Sequence, residues 1–248
     1  MVRLDKFLAD AGCGTRSEVK KMIKCRMITV NGMTATKPEQ KVDAAADVIC
    51  VNGETLSGAG ELYYMFHKPA GCITAKTDAK QQTVMDFFPE MLRKKLSPVG
   101  RLDKDTEGLL LITSDGDLNH RLTSPAYHLP KIYYARLDRP VPVEAAEAFS
   151  HGIDIGDDRK TLPAKLEILP EEVLEGETVY GAELTIGEGR FHQVKRMFQA
   201  VGCKVIYLKR LSMGSLSLGD LSRGTYRPLT EQELSALKKE CETKGDLP

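Results

Sequence analysis

Pro98-Val-Gly-Arg-Leu-Asp-Lys-Asp-Thr-Glu-Gly-Leu-Leu-Leu-Ile-Thr-Ser-Asp-Gly116 is the stretch around which the 248-residue chain is organised. Leu109 to Ile112 is an apolar run of strand length, and Ser114-Asp115-Gly116 closes it with turn chemistry, so a buried strand is predicted. Ahead of it, Arg101, Asp103, Lys104, Asp105 and Glu107 crowd between Gly100 and Gly108. The backbone freedom of those glycines lets the chain turn sharply while several charged side chains project from one loop. A carboxylate there has a fixed position. Read alone, the loop is equally a solvated turn ahead of a strand, and its companions elsewhere must decide.

Composition narrows the class. No stretch approaches the ~18 apolar residues that span a bilayer and no signal-peptide pattern opens the sequence, so a cytoplasmic protein with no membrane partner is expected. Cys13, Cys25, Cys50, Cys72, Cys203 and Cys241 are scattered without a Cys-x-x-Cys pair or a companion histidine. They read as reduced, mostly buried thiols, with neither a zinc site nor a disulfide framework. Lys+Arg and Asp+Glu both number 35, but their distribution is uneven. Residues 1–37 hold eight basic residues against three acids, 189–211 hold six basic residues and no acid, and 138–188 hold thirteen acids against four bases. Two basic zones around an acidic one predict a polarised surface of the kind that binds a phosphate backbone.

Leu4, Phe7, Leu8 and Ala11 fall at helical spacing, with Gly12 as the stop. Thr15-Arg-Ser-Glu18 fits a capping box and starts a second helix running to about Cys25. Val19, Met22 and Ile23 supply its core face, while Arg16, Lys20 and Lys24 recur every fourth residue as a basic stripe. Strand patterns Met27–Val30 and Asp47–Val51 each end in Asn-Gly, the pair that favours a tight hairpin. Leu56 to Glu61 is small and flexible and reads as a linker, giving domains 1–58 and 59–248. The first of these resembles the S4 RNA-binding domain through Arg3-Leu-Asp-Lys-Phe-Leu8, Ser17-Glu18 and Ile28-Thr-Val-Asn-Gly32. The resemblance implies that Arg3, Lys6, Arg16, Lys20, Lys21, Lys24 and Arg26 lie against RNA phosphates.

In the longer domain, Leu62 to His67 reads as a strand that leaves Lys68 at its end before Pro69 and Gly71. Thr83 to Leu96 reads as partly helical, stopped by Pro98, and Asp117 to Thr123 as a short helix. Lys131 to Leu137 alternates as a strand with Tyr133 and Ala135 on one side and Tyr134 and Arg136 on the other. A helix Val143–Ser150, an acidic surface loop at 171–177, and strands Ala164–Leu169 and Val179–Ile186 follow. After Gly187-Glu-Gly-Arg190 comes a helix whose apolar face is Val194, Met197, Phe198 and Val201, with His192, Lys195, Arg196 and Gln199 on its polar sides. Lys195 and Arg196 oppose the macrodipole at this helix start, so an anion of protein or RNA is expected to compensate them. Strands Lys204–Leu211, Ser215–Leu218 and Tyr226–Leu229 lead to a last helix behind the capping box Thr230-Glu-Gln-Glu233. Helices and antiparallel-looking strands mix without βαβ alternation, so the fold class is α+β: a small N-terminal helix-and-hairpin domain, then a mixed, mainly antiparallel sheet.

Four motifs in order, Lys68-Pro-Ala-Gly71, Gly100-Arg-Leu-Asp-Lys-Asp-Thr-Glu-Gly-Leu-Leu-Leu111, Lys131-Ile-Tyr133 and Glu188-Gly-Arg-Phe-His-Gln-Val-Lys-Arg-Met197, resemble the pseudouridine synthases of the RsuA type. With the S4-like start, the resemblance covers nearly the whole chain. It implies isomerisation of one uridine in folded ribosomal RNA without metal or cofactor: the N1–C1′ bond breaks, the uracil turns, and C5 joins C1′. Asp103 matches the family's catalytic aspartate, Tyr133 its active-site tyrosine and Lys195 the basic partner of the aspartate. Attack at C1′, attack at C6 and removal of the C2′ proton all require one carboxylate near sugar and base. Arg101 is placed by the resemblance at the flipped nucleotide, Leu184 and Ile186 at an apolar wall, and Lys68 beneath the Asp103 loop. Arg190, His192, Gln193 and Arg196 of the fourth motif are further RNA-contact candidates.

Thr123-Ser-Pro125, the run from Glu188 to Phe198 and Tyr226-Arg-Pro-Leu-Thr230 look most like the enzyme of small-subunit 16S ribosomal RNA, at the position-516 type of site in the 530-loop region. The large-subunit 23S enzymes of the same family are the alternative. The partner is thus ribosomal RNA or a partly assembled small-subunit particle, engaged by a monomer. A non-catalytic S4 binding protein would not need Asp103, and a hydrolase with Asp103 paired to Asp105 or Glu107 would need carboxylates that converge, which neighbours in one loop seldom do.

Overall fold

The computed structural model describes residues 1–43, 47, 49–56, 61–124, 127–174 and 177–241. They form two compact units, Met1–Leu62 with Pro89–Lys95, and Tyr63–Phe88 with Leu96 onward.

The first unit begins with β1 (Val2–Arg3), α1 (Leu4–Asp10) and α2 (Arg16–Lys24). It continues with β2 (Ile28–Val30), β3 (Met33–Thr34), β4 (Lys41–Val42), β5 (Ile49–Val51) and β6 (Glu54–Leu56). The capping box expected at Thr15 is formed: the Thr15 hydroxyl accepts from the Glu18 N–H, and the Thr15 N–H donates to Glu18. Both Asn-Gly pairs turn hairpins, β2 into β3 and β5 into β6, with positive φ at Asn31, Gly32, Asn52 and Gly53. Leu4, Phe7, Leu8, Val19, Ile23, Ile28 and Ile49 close its core. Ser57 to Gly60, the middle of the expected linker, lie outside the described residues.

The second unit contains β7 (Tyr63–Lys68), a 3₁₀ turn (Val84–Phe87), β8 (Ser97–Pro98), β9 (Glu107–Thr113), α4 (Gly116–Thr123) and β10 (Lys131–Leu137). The short helix α3 (Glu90–Arg93) precedes β8 and groups with the first unit. After β10 come α5 (Ala145–Ser150), β11 (Lys165–Ile168), β12 (Glu172–Leu174), β13 (Glu177–Ile186) and α6 (Gln193–Ala200). β14 (Val205–Met213), β15 (Leu216–Ser217), β16 (Tyr226–Pro228) and α7 (Glu231–Glu240) finish the described chain. One sheet runs in the order β11-β13-β10-β14-β9-β7-β16, with β8, β12 and β15 as side strands. Every pairing of named strands is antiparallel except β14 with β9.

β9 lies inside this sheet between β14 and β7, and all seven of its residues are buried. It is longer than the apolar run alone indicated and takes in Glu107, which therefore does not project from the loop. Glu107 is 4% exposed and accepts from the Tyr207 hydroxyl at 2.8 Å, while Arg223 pairs with it at 3.0 Å. Gly108 does more than free a turn. A Cβ built on it would stand 2.2 Å from the Arg210 carbonyl oxygen, so β9 and β14 approach this closely only because the residue has no side chain.

Other expectations are adjusted. The run from Thr83 to Leu96 breaks into the 3₁₀ turn and α3, because Pro89 interrupts it, and Pro98 sits in a strand rather than acting only as a stop. The acidic stretch is not simply a loop: Glu172–Leu174 pairs with β13. Of the cysteines, Cys72, Cys203 and Cys241 are buried, Cys13 and Cys50 half-buried, and Cys25 exposed. Pro125, part of the Thr123-Ser-Pro125 motif, lies outside the described residues.

Candidate active site

The Asp103 loop, between β8 and β9, is pinned from below. Lys68, the last residue of β7, is fully buried and its Nζ donates to the carbonyls of Pro69 at 3.1 Å, Lys104 at 3.3 Å and Thr106 at 2.8 Å. Burial holds its ammonium below the usual lysine range, although Asp103, Asp105 and Glu107 pull the other way. The Gly71 N–H also donates to the Lys104 carbonyl, at 2.8 Å. Thr74 completes the support, its hydroxyl donating to Leu102 O at 2.8 Å and accepting from Leu102 N–H at 3.1 Å. A loop held by this many carbonyl contacts cannot let its carboxylate wander, which is what a reacting group needs.

Above the loop stands α6. Its third residue, Lys195, places Nζ 3.1 Å from Asp103 Oδ2 and 2.6 Å from Asp105 Oδ1. Burial lowers the Lys195 pKa, and the hydrogen bonds from Asp105 and then Asp103 outweigh it, leaving the value raised. Asp105 lies below the usual carboxylate range: its burial acts upward, but the Lys195 bond and charge dominate together. The anions that compensate the basic start of α6 are thus protein carboxylates, Asp103 and Asp105 for Lys195 and Asp157 for Arg196. His192 caps α6 in a left-handed conformation with φ 50°, and its Nε2 lies 3.5 Å from Asp103 Oδ1. Its ring stacks on Phe191 at 3.8 Å, and Phe191 is 76% exposed.

Asp103, Lys195 and His192 line a cleft of about 70 Å³ with Arg101, Leu102, Tyr133, Ile186, Val194 and Leu208. Tyr133, on β10, presents its hydroxyl 3.4 Å from Arg210 Nη1, and the guanidinium lies 6.0 Å from the ring centroid. Arg210 was not singled out in the sequence. It is 3% exposed, its Nε donates to the Leu109 carbonyl at 2.8 Å, and its backbone occupies the space that the missing Gly108 side chain leaves open. Asp105 was expected to diverge from Asp103 and instead converges with it on Lys195.

Asp103, Tyr133, Lys195, Arg101, Ile186 and His192 therefore meet at one cleft. Leu184 does not line it: it pairs with Tyr133 in register on the neighbouring strand and is fully buried beside it. Gln193 also lines the cleft, but it is 3% exposed, with its amide on Glu188 and its carbonyl oxygen accepting from the Arg190 N–H. Arg190 reaches the cleft, but its guanidinium is committed to Glu188 and the carbonyls of Arg159 and Lys160. Arg196 is turned to Asp157 and to the carbonyls of Ile155 and Phe191. Lys68 is beneath the loop and out of solvent. In the first unit, Lys6, Arg16, Lys20, Lys21, Lys24 and Arg26 are exposed, whereas Arg3 pairs with the buried Asp5 at 2.9 Å. Among the described residues no group of three or more His, Cys, Asp or Glu is placed to hold a metal ion, and no helix is long and apolar enough to cross a membrane.

A family model described as RNA pseudouridylate synthase matches residues 62–200, and the S4 domain model matches residues 2–49. An uncharacterised RNA pseudouridine synthase of Bacillus subtilis is 45% identical, covering 96% of this chain and 99% of its own. Ribosomal small subunit pseudouridine synthase A of Pasteurella multocida is 42% identical, covering 96% and 100%. A solved pseudouridylate synthase structure superposes with a TM-score of 0.66 at 40% identity, over 96% of this chain and 100% of that one.

Proposed function

The chain belongs to the RNA pseudouridylate synthase family and carries an S4 domain at its start, and from that premise we propose that it isomerises one uridine of small-subunit 16S ribosomal RNA, with Asp103 as the catalytic carboxylate. The reaction is balanced within the substrate. The N1–C1′ bond breaks, a C5–C1′ bond forms, C5 releases a proton and N1 takes one, so no outside oxidant, reductant or group donor is required. What the protein must supply is a positioned carboxylate, a rigid place for the uracil and exclusion of water from the reacting sugar.

The observation that carries this reading is the juxtaposition of Asp103 with Lys195, 92 residues further along the chain, at the cleft that Tyr133 also lines. Lys195 gives the carboxylate an opposite charge and a fixed direction, and the pinned loop keeps it at the mouth of the cleft. Tyr133 offers a ring against which the uracil packs and a hydroxyl within reach of base or sugar. Arg101, exposed at the rim, fits the space left in the RNA stack by the extruded nucleotide. Extrusion costs a few kcal/mol, and the exposed basic face of α2 in the S4 domain supplies RNA binding energy to offset it. The relatives named for the ribosomal small subunit support 16S RNA, free or in a partly assembled particle, as the substrate, with the position-516 type of uridine as the target.

The test is a map of pseudouridine in ribosomal RNA from cells lacking this protein, then from the same cells given wild type or Asp103→Asn. One small-subunit uridine should lose its modification and regain it with wild type alone. Restoration by Asp103→Asn overturns the catalytic assignment, and loss of a large-subunit site overturns the substrate.

A further inference from the structure

A second cavity, about 230 Å³, adjoins the Asp103 cleft and shares Arg101, Tyr133, Gly189 and Arg190 with it. We infer that this cavity is a phosphate subsite, in which Lys131 and Arg210 seat a phosphodiester next to the extruded nucleotide. The inference rests on the RNA-modifying function proposed above.

The argument starts from unbalanced charge. Arg101, Lys131, Arg159, Arg190 and Arg210 line the cavity against a single acid, Glu188. That acid is already used: its oxygens accept from the Leu162 N–H, from Arg190 and from Gln193. Arg210 is 3% exposed, and its Nη2 has no hydrogen-bond partner among the described residues. A buried guanidinium N–H left without an acceptor is costly, and a bound anion oxygen removes that cost. Among the described residues the Lys131 ammonium makes one hydrogen bond, to the Leu129 carbonyl at 2.7 Å. Burial, then the Arg210 charge, lower its pKa to about 8 despite Glu188. Two neighbouring cations in one largely buried space repel each other, and a phosphate between them turns repulsion into two charge-assisted bonds. Leu122, Leu129 and Met213 add an apolar side suited to the carbon edge of a ribose. The junction with the catalytic cleft puts the phosphate one nucleotide from the base on Tyr133.

The test has two arms. In the first, acylation of Lys131 by an amine reagent is followed by mass spectrometry with and without millimolar inorganic phosphate. Phosphate should slow labelling of Lys131 severalfold while leaving the exposed Lys20 unchanged, and equal rates overturn the site. In the second, the RNA fragment modified by the enzyme carries a neutral methylphosphonate at each linkage around the target in turn. One linkage should weaken binding to wild type about tenfold, the equivalent of one charge-assisted hydrogen bond, and weaken binding to Lys131→Gln less than about twofold. Lys131→Arg should restore the wild-type response. If phosphate protects Lys131 and no linkage couples to it, the cavity takes free phosphate and the RNA assignment is wrong. Absence of pseudouridine formation on any RNA strikes the proposed function and leaves the labelling arm to decide the site.

Discussion

Gly108 and Gly71 both hold a backbone conformation that L side chains rarely adopt, with φ of +111° and +95°, yet their surroundings differ. A Cβ at Gly71 meets nothing within 4 Å, while a Cβ at Gly108 falls 2.2 Å from the Arg210 oxygen, 2.5 Å from its nitrogen and 2.8 Å from its carbonyl carbon. Alanine at either position incurs backbone strain of about 1–3 kcal/mol. At Gly108 the new methyl also overlaps backbone that cannot swing aside. β9 and β14 are joined by the register pairs Lys209 with Glu107 and Arg210 with Gly108, and relief of the overlap separates them. Losing one or two ladder bonds, at about 1 kcal/mol each, and disturbing the buried Arg210 bond to Leu109 add roughly 2–4 kcal/mol. Gly108→Ala should therefore unfold at least about 4 °C below Gly71→Ala, given ~2–4 °C per kcal/mol for a unit of this size. Thermal and urea unfolding followed by circular dichroism measures both. Equal destabilisation of the two variants, within about 0.5 kcal/mol, refutes the claim that close strand approach at Gly108 holds the sheet together beneath the Asp103 loop.

Lys68→Met preserves length but strands the three carbonyls of Pro69, Lys104 and Thr106; stability should fall by about 2–4 kcal/mol and kcat should drop more than KM rises, readable from steady-state pseudouridylation. A variant with unchanged kcat denies the loop-holding role. Glu233 has its pKa lowered to about 2, chiefly by the Arg227 hydrogen bond. Because the folded value lies below the unfolded one, its stabilisation is complete above about pH 4.5 and is lost as pH falls toward 2; Glu233→Gln should flatten that part of the stability profile, and an unchanged acid limb contradicts it.

What the sequence disclosed is what short-range chemistry decides. The Thr15 and Thr230 capping boxes and the two Asn-Gly hairpins were readable because each is settled by residues three or four apart. The ends of β9 were not, since Glu107 joins the strand only through its pairing with Lys209, 102 positions later. Gln193 was expected among the RNA contacts, but it stands one turn before Met197, on the buried side of α6, with its Nε2 3.8 Å from the Met197 sulfur. Arg210 looked like one more basic residue in a basic stretch. The close approach of its backbone to β9 depends on Gly108 in that strand having no side chain, a dependence that no local pattern carries.

The same distinction explains the site. Lys195, with its neighbour Arg196, gave a physical signal within the sequence, a cation placed against the macrodipole of α6 that required an anion from elsewhere. The fold answers with two acids, Asp103 and Asp105, on one loop. Lys195 is shared between them, so its ammonium is fixed by two contacts, 2.6 Å to Asp105 and 3.1 Å to Asp103. Asp105, the more exposed of the two acids at 74% against 29%, holds Lys195 from the solvent side and is not among the residues that line the cleft, so the second counter-charge leaves the mouth of the cleft open.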